Sequence, residues 1–473
     1  MTIRSSITRR TAIQGAALAS ASIALAACAS RDRSTSGSTS GAVTLTIMTN
    51  AIAGGKNAAE ADWIADWVIP EFTAAQQEAG RSVEVVFEAQ GVDDEDYKTK
   101  AALDFQSGKG ADVVGLDGIW IGEFAQAGYI KPLEEIAGDT VTSWDGWEQI
   151  PEAVQQAASF EGRRYGVPQG ADGRVIYYNR DVFERAGLPT DWQPASWDDI
   201  LQTARTLKQR VDDVVPLQLN AGTAMGEATT MQGFLPMLVG TGQAIWSDGM
   251  WAGDTPGMRQ VLELYKTIYV DEELGDPILQ QEASGRDASF QEFAEGRIAI
   301  LLEGDYFWRS VINPDEAVGT APMADRDTLV GYAKIPAMTP GGGVNGQDFV
   351  SMSGGTARVL NPNSANPELA WELLAFMNSL EAFRARAEGT LSISPRDDVN
   401  EQLLASDPML SFVSEEVLPI TSYRPGLAEY PEVSVLLQQA TLDVVTGTSV
   451  DEAVSSYVAA LEDVVGADAI RGA

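Results

Sequence analysis

The stretch ADVVGLDGIWIGEFAQAGYIKPLEE, Ala111–Glu135, decides how the chain is read. Asp112–Leu116 is a short apolar, β-branched run of strand length. Asp117-Gly118 breaks it, and Trp120 stands at the tip. A one-to-two-turn helix over Gly122–Ala127 is predicted, closed by Gly128 and prevented from continuing by Lys131-Pro132. The pattern is strand, loop, short helix, with a carboxylate and an indole where the strand stops. Open α/β sheets bind ligands outside the carboxyl ends of their strands. Asp117 could accept hydrogen bonds from hydroxyls and Trp120 could offer a flat apolar face. The same residues equally fit a turn cap and a core ring.

Composition removes whole classes of function. The 473 residues suffice for two domains with sizeable cores. A formal charge of −36 repels phosphate backbones, so nucleic acid is excluded as a partner. There is no histidine, which removes Ser-His-Asp and Cys-His machinery and HExxH zinc sites. Cys28 is the only cysteine, so neither an intrachain disulfide nor a thiolate metal cluster can form. Asp93-Asp94-Glu95-Asp96 lacks EF-hand spacing and reads as the acidic N-terminus of a helix running through Leu103. Gly341–Gly346 matches G-x-G-x-x-G literally but leads into the strand Asp348–Met352, not a phosphate-binding helix. A glycine loop that lets Asn345 or Gln347 approach a ligand fits better. Ser351-Met-Ser353-Gly354 is no hydrolase elbow, because Phe349 replaces the first glycine. No cofactor and no metal are expected.

Residues 1–27 read as a secretory signal, with Arg4, Arg9 and Arg10 ahead of the small, apolar Thr11–Ala27. Leu25-Ala26-Ala27-Cys28 resembles a lipobox, in which Cys28 would be acylated and become the new N-terminus. Thr8–Ile13 resembles a twin-arginine signal with Ala12 in place of the usual Phe. The Ser/Thr/Gly-rich segment up to residue 41 forms a flexible tether. Two acyl chains suffice for stable anchoring.

Beyond the tether, Val43–Thr49 alternates as a strand and ends in Asn50 and a Gly54-Gly55-Lys56 loop. Asp62–Gln77 carries helix spacing with Trp63, Trp67 and Phe72 inside, and the strand Ser82–Glu88 follows. This is a parallel α/β lobe. Tyr165–Pro168 and Val175–Tyr178 read as strands flanking a polar crossing, Gln169–Arg174, on which Asp172 and Arg174 could also simply pair. Ser196 caps a helix with Asp199 at N3, and Asn366-Pro367-Glu368 opens another. Val433–Leu461 is helical.

Three blocks carry a family resemblance: the opening stretch, FEGRRYGVPQGADGRVIYYNRDVFERAGL from Phe160 to Leu188, and ILLEGDYFW from Ile300 to Trp308. In order and spacing they resemble the sugar-binding lipoproteins of bacterial ABC importers, within the large extracellular solute-binding family that includes maltose-binding proteins. The resemblance implies an α/β, two-lobe periplasmic-binding-protein-like fold with hinge crossings and an interlobe ligand cleft. It divides the chain into 42–172 with 330–390 as one lobe and 173–329 with 391–473 as the other. It places Asp172, with Arg174, at the floor of the cleft where relatives carry a sugar-binding carboxylate. Tyr306 falls where relatives stack an aromatic on a sugar ring, with Asp305 beside it. Arg424, in Thr421–Pro425, falls where an arginine can clamp ring hydroxyls. Asn50 and Trp246 complete the candidate set. A stacked ring with charged hydrogen-bond partners suits a sugar, which has C–H groups on one face and hydroxyls at its rim.

The function so implied is that of a lipid-anchored, extracytoplasmic, monomeric receptor that binds a maltose-like oligosaccharide and delivers it to ABC permease subunits. The eleven tryptophans agree with a sugar ligand. A peptide receptor would need a larger cleft, and an amino-acid receptor paired positive and negative clamps. An exported glycosidase would need two carboxylates about 5.5 Å or about 6.5–9.5 Å apart. An adhesin would respond to no small ligand.

Overall fold

The computed structural model describes residues 42–92, 94–316, 318–387 and 391–472. The signal, Cys28, the tether and Asp93 lie outside the described residues. The first sheet forms from β1 (Val43–Thr49), β2 (Val83–Ala89), β3 (Val113–Asp117), β4 (Gly166–Pro168) and, late in the chain, β10 (Thr356–Leu360). Its order is β2-β1-β3-β10-β4. β1 is parallel to β2 and β3, and β10 is antiparallel to β3 and β4. Alternation in β1 sends Leu45 and Ile47 to one face, where Trp63, Ile64, Val68 and Phe72 cover them. Those residues come from Ala58–Trp63, Ile64–Val68 and Ile69–Glu78, consecutive helical segments with a π-turn in the middle. Met48 faces the other way, into a cluster with Tyr97, Val114, Trp120 and Phe124.

The second lobe is built on β5 (Arg174–Asn179), flanked by β6 (Ile300–Gly304) and β7 (Val330–Ala333), both antiparallel to it. β5 is buried on both faces. Val175 and Tyr177 join one core cluster, and Ile176 and Tyr178 the other. Its run of apolar residues therefore has no polar alternation. A third sheet places β9 (Phe349–Ser353) between β8 (Ile335–Pro336) and β11 (Thr421–Tyr423).

The structure corrects one expected boundary. Val330–Pro336 does not return to the first lobe, because β7 pairs with β5 and the chain enters the first sheet only at Thr356. Gly331 makes that pairing possible: a Cβ there would lie 2.1 Å from Cζ of Tyr178, so the strand can lie against the ring only without a side chain. Other elements form where they are read, with ends shifted by up to four residues. The short helix is Trp120–Gln126, and Gly128 has the positive φ of 72° expected after a helix. Ser196 caps Trp197–Arg210 through a bond from Asp199 N. Asn366, by contrast, makes no side-chain cap, although Pro367 opens the helix as expected. The C-terminal helical region is two helices, Tyr430–Val445 and Val450–Val465.

Candidate functional site

Two crossings between the lobes lie side by side: 169–173, from β4 to β5, and Gly354-Gly355, from β9 to β10. Asp172 joins them. Its carboxylate accepts from Ser353 Oγ at 3.0 Å and from the Gly354 amide at 2.8 Å, and pairs with Arg174 at 2.7 Å. Ser351 adds a second tie, accepting from Arg174 N at 2.8 Å and donating to Arg174 O. Burial alone would raise the Asp172 carboxyl, but Arg174, Ser353 and the Gly354 amide outweigh it and hold the group below the usual carboxylate range.

Asp117 ends β3 at the same seam. One oxygen accepts from Ile119 N at 3.0 Å, closing the turn, and Arg424 stands 3.7 Å away. Gly118 is required there, since a Cβ would lie 2.8 Å from the Ala157 carbonyl oxygen. Burial pushes Asp117 up, and Arg424 offsets this only in part. Arg424 spans the seam, reaching Glu227 at 2.9 Å on the other side. Glu227 also accepts from Tyr430 OH and Ser434 Oγ. Arg424 Nε is buried without a partner among the described residues, a donor left unused in the seam. A Cβ on Gly354 would sit 3.7 Å from Asp172 and 3.8 Å from Arg424, so both groups converge on that glycine.

Behind Asp172 the polar groups continue into the second lobe. Gln232 lies within 3.3 Å of both Arg174 Nε and the Tyr306 hydroxyl. Tyr306 donates to the buried Glu303, which also pairs with Arg286 at 2.9 Å. Asp305, 1% exposed, pairs with Arg309 at 3.0 Å. Burial raises both Glu303 and Asp305 despite their arginines.

The ten candidate residues separate into four groups. Asp117 and Asp172 line a cavity of about 540 Å³ together with Glu60, Arg309, Phe383 and Arg386. Arg174, Asp305, Tyr306 and Arg424 stand around or behind those two acids. Trp246 and Asn345 line a different cavity of about 670 Å³, with Gln347 and Tyr423. Asn50 and Trp120 are engaged elsewhere. Asn50 donates to Val92 O and Asp94 and accepts from Val92 N, tying two loops together. Trp120 is 7% exposed and packs 6.3 Å from the Tyr97 ring, so it belongs to the core. Glu60, Glu227, Gln232, Arg286 and Glu303 were not singled out from the sequence. Only Glu303 carried a signal, as a charge inside the buried run ILLEG. Among the described residues no group of three or more Cys, Asp or Glu side chains is placed to hold a metal.

The Asp172–Arg174 pair gives a pH-dependent prediction. A carboxyl whose folded pKa is depressed stabilises fully above its unfolded value, about 3.9, and that contribution is lost as pH falls through the folded value. Asp172→Asn leaves Arg174 buried and unpaired, and is expected to cost roughly 3 kcal/mol at pH 7. Urea unfolding at pH 7 and pH 3 checks it: the gap from wild type should shrink at pH 3, and an equal gap at both would contradict the pairing.

Known proteins share the family and the fold. A protein of Brucella abortus (strain 2308) named as a binding protein is 24% identical over 368 residues, 77% of this chain and 82% of that protein. The diacetylchitobiose binding protein DasA of Streptomyces coelicolor is 23% identical over 336 residues, 70% of this chain and 69% of that protein. The sugar-binding protein MalE of Xanthomonas citri superposes with a TM-score of 0.71 at 18% identity, over 89% of this chain and 97% of that one. That similarity shows the two-lobe fold. The profile of the bacterial extracellular solute-binding proteins matches residues 48–382, and the chain belongs to that family.

Proposed function

We propose that this chain is the solute receptor of an ABC importer and that it binds a neutral carbohydrate in the cavity between Asp117 and Asp172. One observation carries the reading: each carboxylate lining or directly behind the Asp117–Asp172 cavity stands beside an arginine. Glu60 faces Arg358 at 2.7 Å and Arg386 at 3.8 Å, Asp117 and Glu227 share Arg424, and Asp172 pairs with Arg174. Glu303 pairs with Arg286, and Asp305 with Arg309. The chain carries 68 acidic and 32 basic residues, so full matching here is selective. An anionic solute would want an uncompensated cation. An amino acid would want one free charge of each sign. A site of paired charges keeps lone pairs and N–H groups available for hydroxyls without favouring a net charge on the ligand. The names of the diacetylchitobiose and MalE relatives agree with a saccharide.

Binding without chemistry is sufficient for this role. Asp305 is almost fully buried and Asp172 is held ionised by three donors, so neither is disposed as a general acid. Lobe closure over the sugar would present the permease subunits with a surface specific to the loaded state. Arg424, bridging Asp117 and Glu227 across the seam, would be the group that senses occupancy.

Thermal unfolding of residues 29–473 against maltose, maltotriose, diacetylchitobiose, amino acids, dipeptides and sn-glycerol 3-phosphate tests the ligand class. A sugar at a hundred times its Kd should stabilise by about 2.7 kcal/mol, read as a rise of a few degrees. No reducing ends should be released. A shift with the phosphate or the amino acids, and none with sugars, would contradict the reading.

We also propose that Cys28 anchors the receptor to the outer face of the cell membrane, from the lipobox resemblance and the Ser/Thr/Gly-rich composition of the segment that follows. Among the described residues no helix is long and apolar enough to cross a membrane. In a secreting host, Cys28→Ala should move the protein from the membrane fraction to the soluble extracytoplasmic fraction. Retention in the membrane would contradict acyl anchoring.

A further inference from the structure

Glu60 stands in the first turn of the helix Ala58–Trp63 and lines the cavity that also holds Asp117 and Asp172. Its two oxygens are used unequally. Oε1 accepts from Arg358 Nη2 at 2.7 Å and from Thr49 Oγ1 at 3.3 Å. Oε2 accepts no hydrogen bond among the described residues and faces Arg386 Nη2 at 3.8 Å, beyond hydrogen-bonding reach. Arg386, on the helix Leu380–Ala387, lines the same cavity. Its Nη1 donates to Gln169 O at 2.9 Å, and its Nη2 has no acceptor among the described residues. Asp172, by contrast, already takes three donors, and one oxygen of Asp117 closes a turn.

One free acceptor and one free donor thus face each other at the cavity wall, and both are held in place. Arg358, 1% exposed, fixes Glu60 from behind, and the crossing fixes Arg386 through Gln169. The Arg358 and Arg386 guanidiniums also lie over the Trp63 ring, at 5.2 and 5.5 Å from its centroid. Burial works against the charge on Glu60, but Arg358 and Arg386 outweigh it and hold the carboxyl below its usual range. At neutral pH it therefore only accepts. An oxygen about 2.7 Å from the carboxylate and about 2.9 Å from the guanidinium closes a triangle on the gap. A hydroxyl donates and accepts through one atom and satisfies both sides. A carboxylate or phosphate would meet Arg386 but be repelled by Glu60, and an ammonium would meet the reverse.

We propose that Glu60 Oε2 and Arg386 Nη2 jointly hold one hydroxyl of the sugar, and that this contact decides which hydroxyl pattern the receptor accepts. The proposal rests on the carbohydrate reading above and adds to it a place and a pair of atoms. A sugar lacking that hydroxyl would leave the acceptor and the donor covered and unpaired, which is the strong form of discrimination open to a binding site.

The test is a cycle between protein and ligand. Wild type and Arg386→Gln, as residues 29–473, are titrated calorimetrically with maltose and the series of its monodeoxy analogues. Diacetylchitobiose and its analogues take their place if that is the disaccharide that binds. Arg386→Gln should weaken the parent sugar about tenfold. The same ratio should hold for every analogue except one. For that one, wild type and variant should bind alike, because the hydroxyl that Arg386 meets is already gone. A role for Arg386 in folding alone would weaken the whole series by one factor; that result, or no loss at all, would overturn the proposal. Arg386→Met keeps the apolar stem over Trp63 and should repeat the pattern, so the test survives a misfolded Arg386→Gln. The Arg386 side chain is 28% exposed, whereas Glu60→Gln would unpair the buried Arg358 and is the poorer probe. If wild type binds neither sugar, the carbohydrate reading fails and the proposal falls with it. If it binds and the series has no exceptional member, only the proposal fails.

Discussion

Asp172 ties together two strands of chain that pass between the lobes, and most of the seam's geometry follows from that tie. The carboxylate can bind Ser353 and the Gly354 amide only because it remains ionised in a partly buried place. It remains ionised because Arg174, one residue into β5, turns back onto it. Arg174 is itself 6% exposed and needs that partner. The pair is therefore mutually required, and it fixes where β5 leaves the crossing and where β10 begins. Asp172 and Arg424 both approach Gly354 at the second crossing.

The rest of the seam repeats this pattern with different partners. Each acid near the cavity has an arginine behind it, and some of those arginines reach further: Arg174 to Met352 O and Arg424 to both Asp117 and Glu227. Arginine suits the task because its planar fork can serve two acceptors at once. Arg424 does so across the lobes, from Asp117 to Glu227. The result is a polar, nearly neutral seam inside a strongly acidic protein, with its hydrogen-bonding capacity directed at whatever occupies the cavity.

The sequence was legible where a residue's role depends on its near neighbours. Asp117 sits at the end of its strand because Gly118 breaks the run, and Asp172 lies on the crossing because Pro168 and Gly170 interrupt two apolar segments. The family and the two-lobe fold were legible for the same reason, from ordered local blocks. Roles that depend on distant partners were hidden. Trp120 opens a helix, but only Tyr97 and Met48, from other elements, make it a core ring. Residue 330 reads as the start of a return to the first lobe, yet β7's neighbour depends on Gly331 meeting Tyr178, more than 150 residues earlier. Glu227 gains its meaning from Arg424 and Tyr430, about two hundred residues later. Alternation identifies an element; it does not identify what the element packs against.

Two cavities of similar size border the seam, one at Asp172 and one at Trp246, and the account places the sugar in the first. Isothermal titration of the sugar that stabilises the wild-type chain, repeated on Asp172→Asn and Trp246→Ala, separates them. The account predicts at least about tenfold weaker binding for Asp172→Asn, the scale of a lost charge-assisted hydrogen bond, and unchanged affinity for Trp246→Ala. Loss of binding in Trp246→Ala with Asp172→Asn unaffected would contradict it.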